Sequence, residues 1–241
     1  ALALIFLVRN PAVSGALLGV CIAYKYYAGF LLVGYLIFLL RTRGEAYAMK
    51  FLTASLVAPA VFILPFMLWD WRAFMFNMTF WNAWCGNVTP WLFVYRFFGF
   101  DWRTKMRLFV NPTLTMIHFT SFFLTLGAFL MIVREARRGT DLITLSLASL
   151  LCLLTFNKLV HPNYLCWIFP FLIVQLLSRD TTPWSKAAYV AVSLIPFYDK
   201  LKFEFFGIPG ADLLRAALVP FVLFFLFLSL LNQMRRSKAV A

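Results

Sequence analysis

Long apolar runs recur along the whole chain and leave few folds open to it. About 20 consecutive apolar residues cross the roughly 30 Å of a bilayer's hydrocarbon core. The composition agrees with such a role, because 63% of the 241 residues are hydrophobic and only 13% are charged. We therefore expect an all-α fold, a polytopic transmembrane helical bundle that forms a single membrane-embedded domain. The apolar runs cover residues 1–8, 12–40, 51–69, 113–133, 142–160, 163–178, 187–198 and 211–232.

Basic residues cluster in alternate connections between these runs. By the positive-inside rule such clusters face the cytoplasm, and residues 70–112, 161–163 and 199–210 then face the opposite, outer side. The net charge of +13 is spread over short clusters and forms no single patch, so we expect contact with membrane lipids and not with nucleic acid. The basic clusters contain Arg41, Arg43 and Lys50, Arg134, Arg137 and Arg138, Arg179 and Lys186, and Arg235, Arg236 and Lys238.

Several common functional signatures are missing from the sequence. The four cysteines have no metal-ligand spacing, and no glycine-rich phosphate loop occurs, so we predict neither a metal nor a nucleotide cofactor. The chain begins at Ala1 inside an apolar run, without a methionine or a polar flank. We expect it to be the C-terminal portion of a longer protein.

A short polar segment, residues 157–163, separates two of the apolar runs. Charged groups at membrane depth cost about 2.5–3.5 kcal/mol each on insertion scales, so Lys158 and His161 indicate a binding or reactive site. Pro162 ends one helix and suits the first turn of the next, so a hairpin is expected whose helix N-terminus favours a phosphate. Asn157, Lys158 and His161 lie near the end of the first helix, and Tyr164 and Trp167 share one face of the second. For each residue alone, a helix cap or an interfacial aromatic belt is the simpler interpretation, but together they favour a site for an anion and a ring.

The run 12–40 is too long for one upright helix, since 29 residues extend about 43 Å. It carries Lys25 near its middle. Either the helix is tilted and Lys25 reaches a wet crevice, or two half-helices meet at Lys25. In both cases Lys25 is predicted to hold an anion.

Residues 70–112 are aromatic-rich and neither fully apolar nor typical of a soluble loop. An interfacial helix on the outer face is one interpretation, because Trp and Tyr concentrate at the headgroup level. The other is a lid over an outer-face site, with aromatic faces for sugar rings or a prenyl chain.

Three segments resemble the glycosyltransferase-C superfamily, especially GPI mannosyltransferase I and its prokaryotic relatives. The first is the Phe-Asn-Lys pattern at 156–158 with Tyr164 and Trp167, followed by an apolar helix with Pro170. The second is the small-residue helix 15–27 that carries Lys25, and the third is Asn87-Val88-Thr89-Pro90-Trp91. The His-Pro-Asn sequence at 161–163 departs from the eukaryotic pattern and favours a prokaryotic relative over a GPI acceptor.

The resemblance implies a multi-pass membrane enzyme, in the plasma membrane of a prokaryote or the endoplasmic reticulum of a eukaryote. It would move a sugar, by resemblance mannose, from a polyprenyl or dolichyl phosphate to a lipid-linked acceptor on the lumenal or outer face, with an accessory membrane subunit as a possible partner. Lys25, Lys158 and His161 would hold the donor phosphate, Asn87 and Tyr164 would shape the sugar or acceptor pocket, and Trp167 would pack near the lipid. The catalytic carboxylate of the superfamily would lie upstream of Ala1, and Asp70 is a weak substitute.

Two other classes remain open at the level of sequence. A lipid or sugar-lipid transporter would also place charges at membrane depth, but it is expected to show internal repeats and paired broken helices, and no self-similarity between the halves is found. A non-catalytic membrane subunit would use the basic and aromatic residues for contacts only.

Overall fold

A computed structural model gives the structure of the chain and describes residues 2–82, 89–91, 94, 97, 112–136, 140–157, 162–177, 182–205 and 211–236. Among these residues the regular structure is entirely helical, which agrees with the all-α prediction. Two short 3₁₀ helices, Tyr26–Ala28 and Pro162–Ile168, interrupt the succession of α-helices. The α-helices are α1 Leu2–Phe6, α2 Pro11–Tyr24, α3 Gly29–Thr42, α4 Glu45–Trp69, α5 Trp71–Asn82, α6 Pro112–Glu135, α7 Leu142–Phe156, α8 Phe169–Leu177, α9 Pro183–Phe205 and α10 Ala211–Arg236.

Three described segments are both long and apolar enough to cross a membrane: Glu45–Trp69, Thr115–Glu135 and Ala217–Arg235. They belong to α4, α6 and α10. The helices α2, α3 and α7 are apolar too, but they contain only 14, 14 and 15 residues. At about 1.5 Å per residue, each extends little more than 20 Å, so none of them crosses 30 Å of hydrocarbon alone.

The helices α2 and α3 form a first hairpin that packs on α4. Gly15 lies against Phe51 and Ala54, and Gly19 lies against Ser55, Ala58 and Pro59, so α2 and α4 run parallel. The chain passes from α3 to α4 through a tight turn at Gly44, whose φ of 89° favours glycine. The rings of Tyr35 and Phe51 lie 6.0 Å apart, as expected where α3 runs antiparallel to α4. The first hairpin therefore turns at residues 25–28, between two antiparallel half-helices.

The helix α7 is the central element of the bundle, and twelve of its 15 residues are buried. On one side Gly34 of α3 approaches Leu145 and Ser149, so closely that a Cβ at residue 34 would lie 2.9 Å from the Leu145 carbonyl oxygen. On another side α6 runs antiparallel to α7: Cys152 Sγ donates to Thr125 O at 3.3 Å, and Ser121 Oγ donates to Phe156 O at 2.8 Å.

A second hairpin is formed by α7 and the segment 162–177. Gln175 Nε2 donates to Thr144 Oγ1 at 2.7 Å near the start of α7, whereas Tyr164 and Trp167 pack with Leu153 near its end. The segment 162–177 therefore returns along α7. The tips of the two hairpins lie at the same end of the bundle, because Tyr27 also packs with Leu153.

Polar contacts join several helices at the opposite end of the bundle. The Glu135 carboxylate is buried and accepts from Arg235, with Nε 3.0 Å from Oε2 and Nη2 3.1 Å from Oε1, which ties α6 to α10. Ser185 at the start of α9 lies 2.7 Å from Ser229 of α10, between their hydroxyl oxygens. Arg41, Arg134, Lys186 and Arg235 all lie in helix turns at this basic end, so the predicted grouping of the basic clusters is confirmed for them. Its orientation toward the cytoplasm stays a prediction.

Candidate functional site

The first hairpin turns at Lys25, where a break in the run 12–40 was one of two interpretations. Lys25 ends α2 in an extended conformation, with φ −146° and ψ 104°. Its N–H donates to Cys21 O at 2.8 Å, and its carbonyl accepts from Ala28 N at 3.0 Å, so the backbone of the turn keeps internal partners. The structure therefore contains two half-helices and no continuous tilted helix. The Lys25 side chain is exposed, and among the described residues no carboxylate oxygen lies within 4.0 Å of its ammonium group.

Three aromatic rings connect the two hairpin tips. Tyr164 and Trp167 are stacked, with ring centroids 4.6 Å apart and an interplanar angle of 17°. Tyr27, two residues after Lys25, lies 5.0 Å from the Tyr164 ring and 5.3 Å from the Trp167 ring. The prediction that Tyr164 and Trp167 share a face is confirmed, and their partner is the turn that carries Lys25. Aromatic contacts of this kind contribute about 0.5–1.5 kcal/mol each beyond the area they bury.

The C-terminal end of α7 receives hydrogen bonds from two other parts of the chain. Phe156 O accepts from Trp91 Nε1 at 2.9 Å and from Ser121 Oγ at 2.8 Å. Asn157, which ends the helix in an extended conformation, accepts at its carbonyl oxygen from Thr89 Oγ1 at 3.1 Å. The last carbonyls of a helix lack partners within the helix, and these side chains supply them. Residues 89–91 are thereby held against the α7 end.

Measured along the helix axes, Lys25 and the α7 end lie short of the nearest ends of α4 and α6. Lys25 is six residues beyond Gly19 and Trp69 is ten beyond Pro59, which places Lys25 about 6 Å short of the end of α4. Ser121, which contacts the α7 end, is six residues inside the apolar segment Thr115–Glu135, or about 9 Å from its start. The described residues beside the two hairpin tips and the α7 end therefore lie short of the ends of α4 and α6, and we call this region the recess.

The apolar run 142–160 was expected to be one helix, but the described helix α7 ends at Phe156. The physical reason lies in the hydrogen bonds to Phe156 O and Asn157 O, which favour an early helix end over a further turn. A helix begins at Pro162 as predicted, but it is a seven-residue 3₁₀ helix, and α8 starts only at Phe169. The N-terminus of an α-helix expected at Pro162 is therefore absent from the described residues.

Asp70 has a capping position that accounts for its presence without a catalytic role. Its N–H donates to Phe66 O at 3.1 Å at the end of α4, and its Oδ1 accepts from Ala73 N at 2.9 Å at the start of α5. Asp is a preferred residue for this type of helix cap. The carboxylate is nevertheless exposed, so the weak prediction of a general base at Asp70 stays a prediction.

The structure locates four of the seven residues predicted to bind substrate. Lys25, Asn157, Tyr164 and Trp167 lie at the two hairpin tips. Asn87, Lys158 and His161 lie outside the described residues, although Lys158 directly follows Asn157 in the sequence.

Sequence reasoning missed the two residues that connect the site to the rest of the bundle. Tyr27 is part of the apolar run 12–40, and nothing in the sequence distinguishes its ring from a lipid-facing one. Ser121 is one of several hydroxyl residues in α6, and its neighbours Thr120 and Thr125 donate to the carbonyl oxygen four residues earlier in their own helix. The contact of Ser121 with Phe156 required the three-dimensional structure.

The recess offers a cation, an aromatic surface and a helix end in one place. An exposed ammonium group suits an anion such as a phosphate, and stacked rings suit a sugar face or a prenyl chain. Among the described residues, no three His, Cys, Asp or Glu side chains are grouped as a metal site would require. The chain matches no protein-family model, and no curated protein or solved structure is detectably similar to it.

Proposed function

We propose that the protein is a multi-pass membrane glycosyltransferase that takes its sugar, mannose by resemblance, from a polyprenyl- or dolichyl-phosphate donor. The acceptor would be lipid-linked and would react on the lumenal or outer face. One observation carries the proposal: the three segments that resemble the glycosyltransferase-C superfamily, which are far apart in sequence, meet in the recess. Residues 89–91 bond to the α7 end, and Tyr27 beside Lys25 packs on Tyr164 and Trp167.

The chemistry of sugar transfer fits a recess with these groups. A lipid phosphate that leaves the sugar gains one negative charge, so a cation near it stabilises the transition state more than the ground state. In this proposal Lys25 supplies such a charge, with Lys158 and His161 as further predicted phosphate ligands.

The proposal is tested by sugar transfer in membranes that contain the full-length protein. The donor is radiolabelled polyprenyl- or dolichyl-phosphate mannose, and the variants are Lys25→Met, Lys158→Ala and His161→Ala at matched protein levels. Loss of a phosphate ligand is expected to lower transfer about 10²-fold or more, by analogy with the loss of one oxyanion-hole donor. The matched control is Lys50→Met, because Lys50 is an exposed lysine near the basic end of the bundle and far from the recess.

The result separates an enzyme from a non-catalytic subunit. Transfer that falls in the recess variants and persists in Lys50→Met supports the enzyme and its donor site. Absence of transfer from every lipid-phosphate sugar tested refutes the enzyme. A non-catalytic subunit would instead show failed assembly in the recess variants, without a specific defect in transfer.

A transporter is a second candidate that one observation favours. Tyr27 beside the first hairpin turn packs on Tyr164 and Trp167 of the second hairpin, and many transporters bind their substrates where two broken helices meet. Uptake of a lipid-linked sugar into proteoliposomes by the full-length protein, without chemical change to the sugar, would favour transport. Transfer of the sugar without net uptake would exclude it.

A further inference from the structure

Two long apolar helices, α6 and α10, each carry an exposed arginine at the same end of the bundle. The apolar segments Thr115–Glu135 and Ala217–Arg235 are long enough to cross a membrane, and Arg134 and Arg235 lie at their ends. The ends of a spanning segment lie at the level of the lipid headgroups. Both arginines are therefore expected among the phosphates of one leaflet.

One buried carboxylate brings the two guanidinium groups together. Glu135 Oε2 lies 3.0 Å from Arg235 Nε, and Oε1 accepts from Arg235 Nη2 at 3.1 Å. Arg134 Nε lies 3.5 Å from the same Oε1, so nitrogens of the two arginines are at most about 7 Å apart. One phosphate group can accept charge-assisted hydrogen bonds from two guanidinium groups at such a distance.

The contact with Glu135 leaves both arginines accessible. Arginine has five N–H donors, and only Nε and Nη2 of Arg235 point at the carboxylate. The side chains of Arg134 and Arg235 are 83% and 52% exposed. These three side chains together carry one positive charge, and Glu135 holds Arg235 in a fixed orientation.

A row of exposed apolar surface leads along α6 to Arg134. Leu130 and Phe123 lie four and eleven residues before Arg134, on the same face of the helix, and both are exposed. Gly127 lies between them, and a Cβ there would meet nothing within 4 Å. The row from Phe123 to Arg134 extends about 16 Å, or about half of the hydrocarbon core of a bilayer.

A second row leads along α10 to Arg235. Leu228 and Phe221 lie seven and fourteen residues before Arg235, on the same face of the helix, and both are exposed. This row is about 21 Å long. Two apolar rows, each long enough for a lipid acyl chain, thus end at one pair of arginines.

We propose that α6 and α10 form a binding site for one anionic phospholipid, with its phosphate between Arg134 and Arg235 and its acyl chains along the two rows. Basic sites between transmembrane helices are known to suit anionic headgroups. A phosphodiester with one negative charge matches the single positive charge of the cluster. A zwitterionic phospholipid carries its own cation beside the phosphate, so it fits less well. The site lies at the end of the bundle opposite the recess, and the proposal does not rest on the proposed function.

The first test measures binding to the full-length protein in detergent, after removal of bound lipid. Phosphatidylglycerol is added, and the lipid retained is counted by native mass spectrometry. Arg134→Met is expected to weaken binding about fivefold, because a basic residue near anionic headgroups contributes about that factor. Arg134→Lys keeps the charge and is expected to bind within about twofold of the wild type.

The matched control is Arg72→Met, because Arg72 is an exposed arginine of α5, at the end of the bundle opposite Arg134. It is expected to leave binding unchanged. Arg235 is not suited to this test, since its loss would also leave the buried Glu135 carboxylate without two hydrogen bonds.

The second test measures thermal unfolding with different ligands. A ligand that binds only the folded protein raises its Tm. Phosphatidylglycerol is expected to raise the Tm of the wild type more than phosphatidylcholine does, and to raise that of Arg134→Met less. Glycerol 3-phosphate has the phosphate but no acyl chains, so at the same concentration it is expected to leave the Tm unchanged.

Several results would overturn the proposal. Equal affinity of Arg134→Met and the wild type for phosphatidylglycerol would remove Arg134 from the site. An equal loss of affinity in Arg72→Met would mean that any basic residue attracts the lipid. Equal stabilisation by phosphatidylcholine would remove the need for a net negative charge, and equal stabilisation by glycerol 3-phosphate would mean that a free phosphate is bound. Neither test measures sugar transfer, so each result holds whether or not the protein is a glycosyltransferase.

Discussion

The packing of α2 on α4 makes a sharp prediction about Gly15 and Gly19. A Cβ atom at Gly15 would lie well within van der Waals distance of the Phe51 carbonyl oxygen, and one at Gly19 would lie 2.7 Å from Pro59 Cδ and 2.9 Å from Ser55 O. These neighbours are backbone or ring atoms, which do not rotate away. Small residues four apart are a common way for apolar helices to approach closely. We therefore predict that Gly15→Ala and Gly19→Ala each destabilise the protein.

The expected size follows from two opposing effects. Overpacking of a tight interface costs about 1–3 kcal/mol. Alanine favours a helix over glycine by up to about 1 kcal/mol, which offsets part of this cost. The net loss of about 1–2 kcal/mol corresponds to a fall in Tm of about 2–8 °C for a chain of this size. Gly127 of α6 is the control, because a Cβ there would meet nothing within 4 Å, so Gly127→Ala is expected to be neutral or slightly stabilising.

The buried thiol of Cys152 provides the assay, since its side chain is 0% exposed in the folded protein. In a background with Cys21, Cys85 and Cys166 replaced by Ala, a thiol-reactive dye reports heating-induced unfolding in detergent. A Tm of Gly15→Ala equal to that of the starting protein would refute the parallel packing of α2 on α4. So would an equal fall in Gly127→Ala, since that glycine has no close neighbour.

Three further predictions concern charged residues. Lys25→Met is expected to lower sugar transfer about 10²-fold or more while changing Tm little, because Lys25 is exposed and has no described carboxylate partner. Asp70→Asn is expected to retain stability and transfer, since Asn also caps helices, whereas Asp70→Ala is expected to lose about 1 kcal/mol of stability without a specific loss of transfer. Arg235→Met is expected to cost about 1.5–3 kcal/mol, because it removes two charge-assisted hydrogen bonds, at 3.0 and 3.1 Å, from the buried Glu135 carboxylate.

Each of these has its own check. Transfer by Lys25→Met at the wild-type rate would remove Lys25 from the site. Loss of transfer in a stable Asp70→Asn protein would mean that the carboxylate acts as a base and is more than a cap. For the ion pair, Arg134→Met is the comparison, because Arg134 is 83% exposed and its Nε lies 3.5 Å from Glu135, so its loss is expected to cost under about 1 kcal/mol. Equal losses of stability in the two arginine variants would contradict the assigned geometry.

Part of the fold can be deduced directly from the sequence. The run 12–40 is too long for one upright helix and carries Lys25 near its middle, so a break in the helix at Lys25 is one of two predictions. The structure has the break at that residue. Pro162 also marks the start of the returning segment. These predictions succeed because the effect of a proline on a helix, and the limit on the length of a helix that spans a bilayer, depend only on nearby residues.

The segments that form the site are brought together by contacts between residues far apart in the chain, and the sequence around each residue does not reveal these contacts. The end of α7 at Phe156 falls inside an apolar run that continues to Val160, and it lies where Trp91 and Ser121 donate to the Phe156 carbonyl oxygen. Likewise, the pairing of Tyr27 with Tyr164 and Trp167 depends on how two hairpins pack, and hydrophobicity alone does not encode that choice.

The parallel course of α2 and α4 has a consequence for how the protein is synthesised. The first hairpin leaves the ribosome before α4, yet the surface that receives Gly15 and Gly19 belongs to α4. Two 14-residue half-helices are each too short to span a bilayer, so we expect the hairpin to reach its final place only when α4 is present to receive it. We therefore predict that insertion of this region into a membrane runs against the order of the chain, with the turn at Lys25 placed after the later helix.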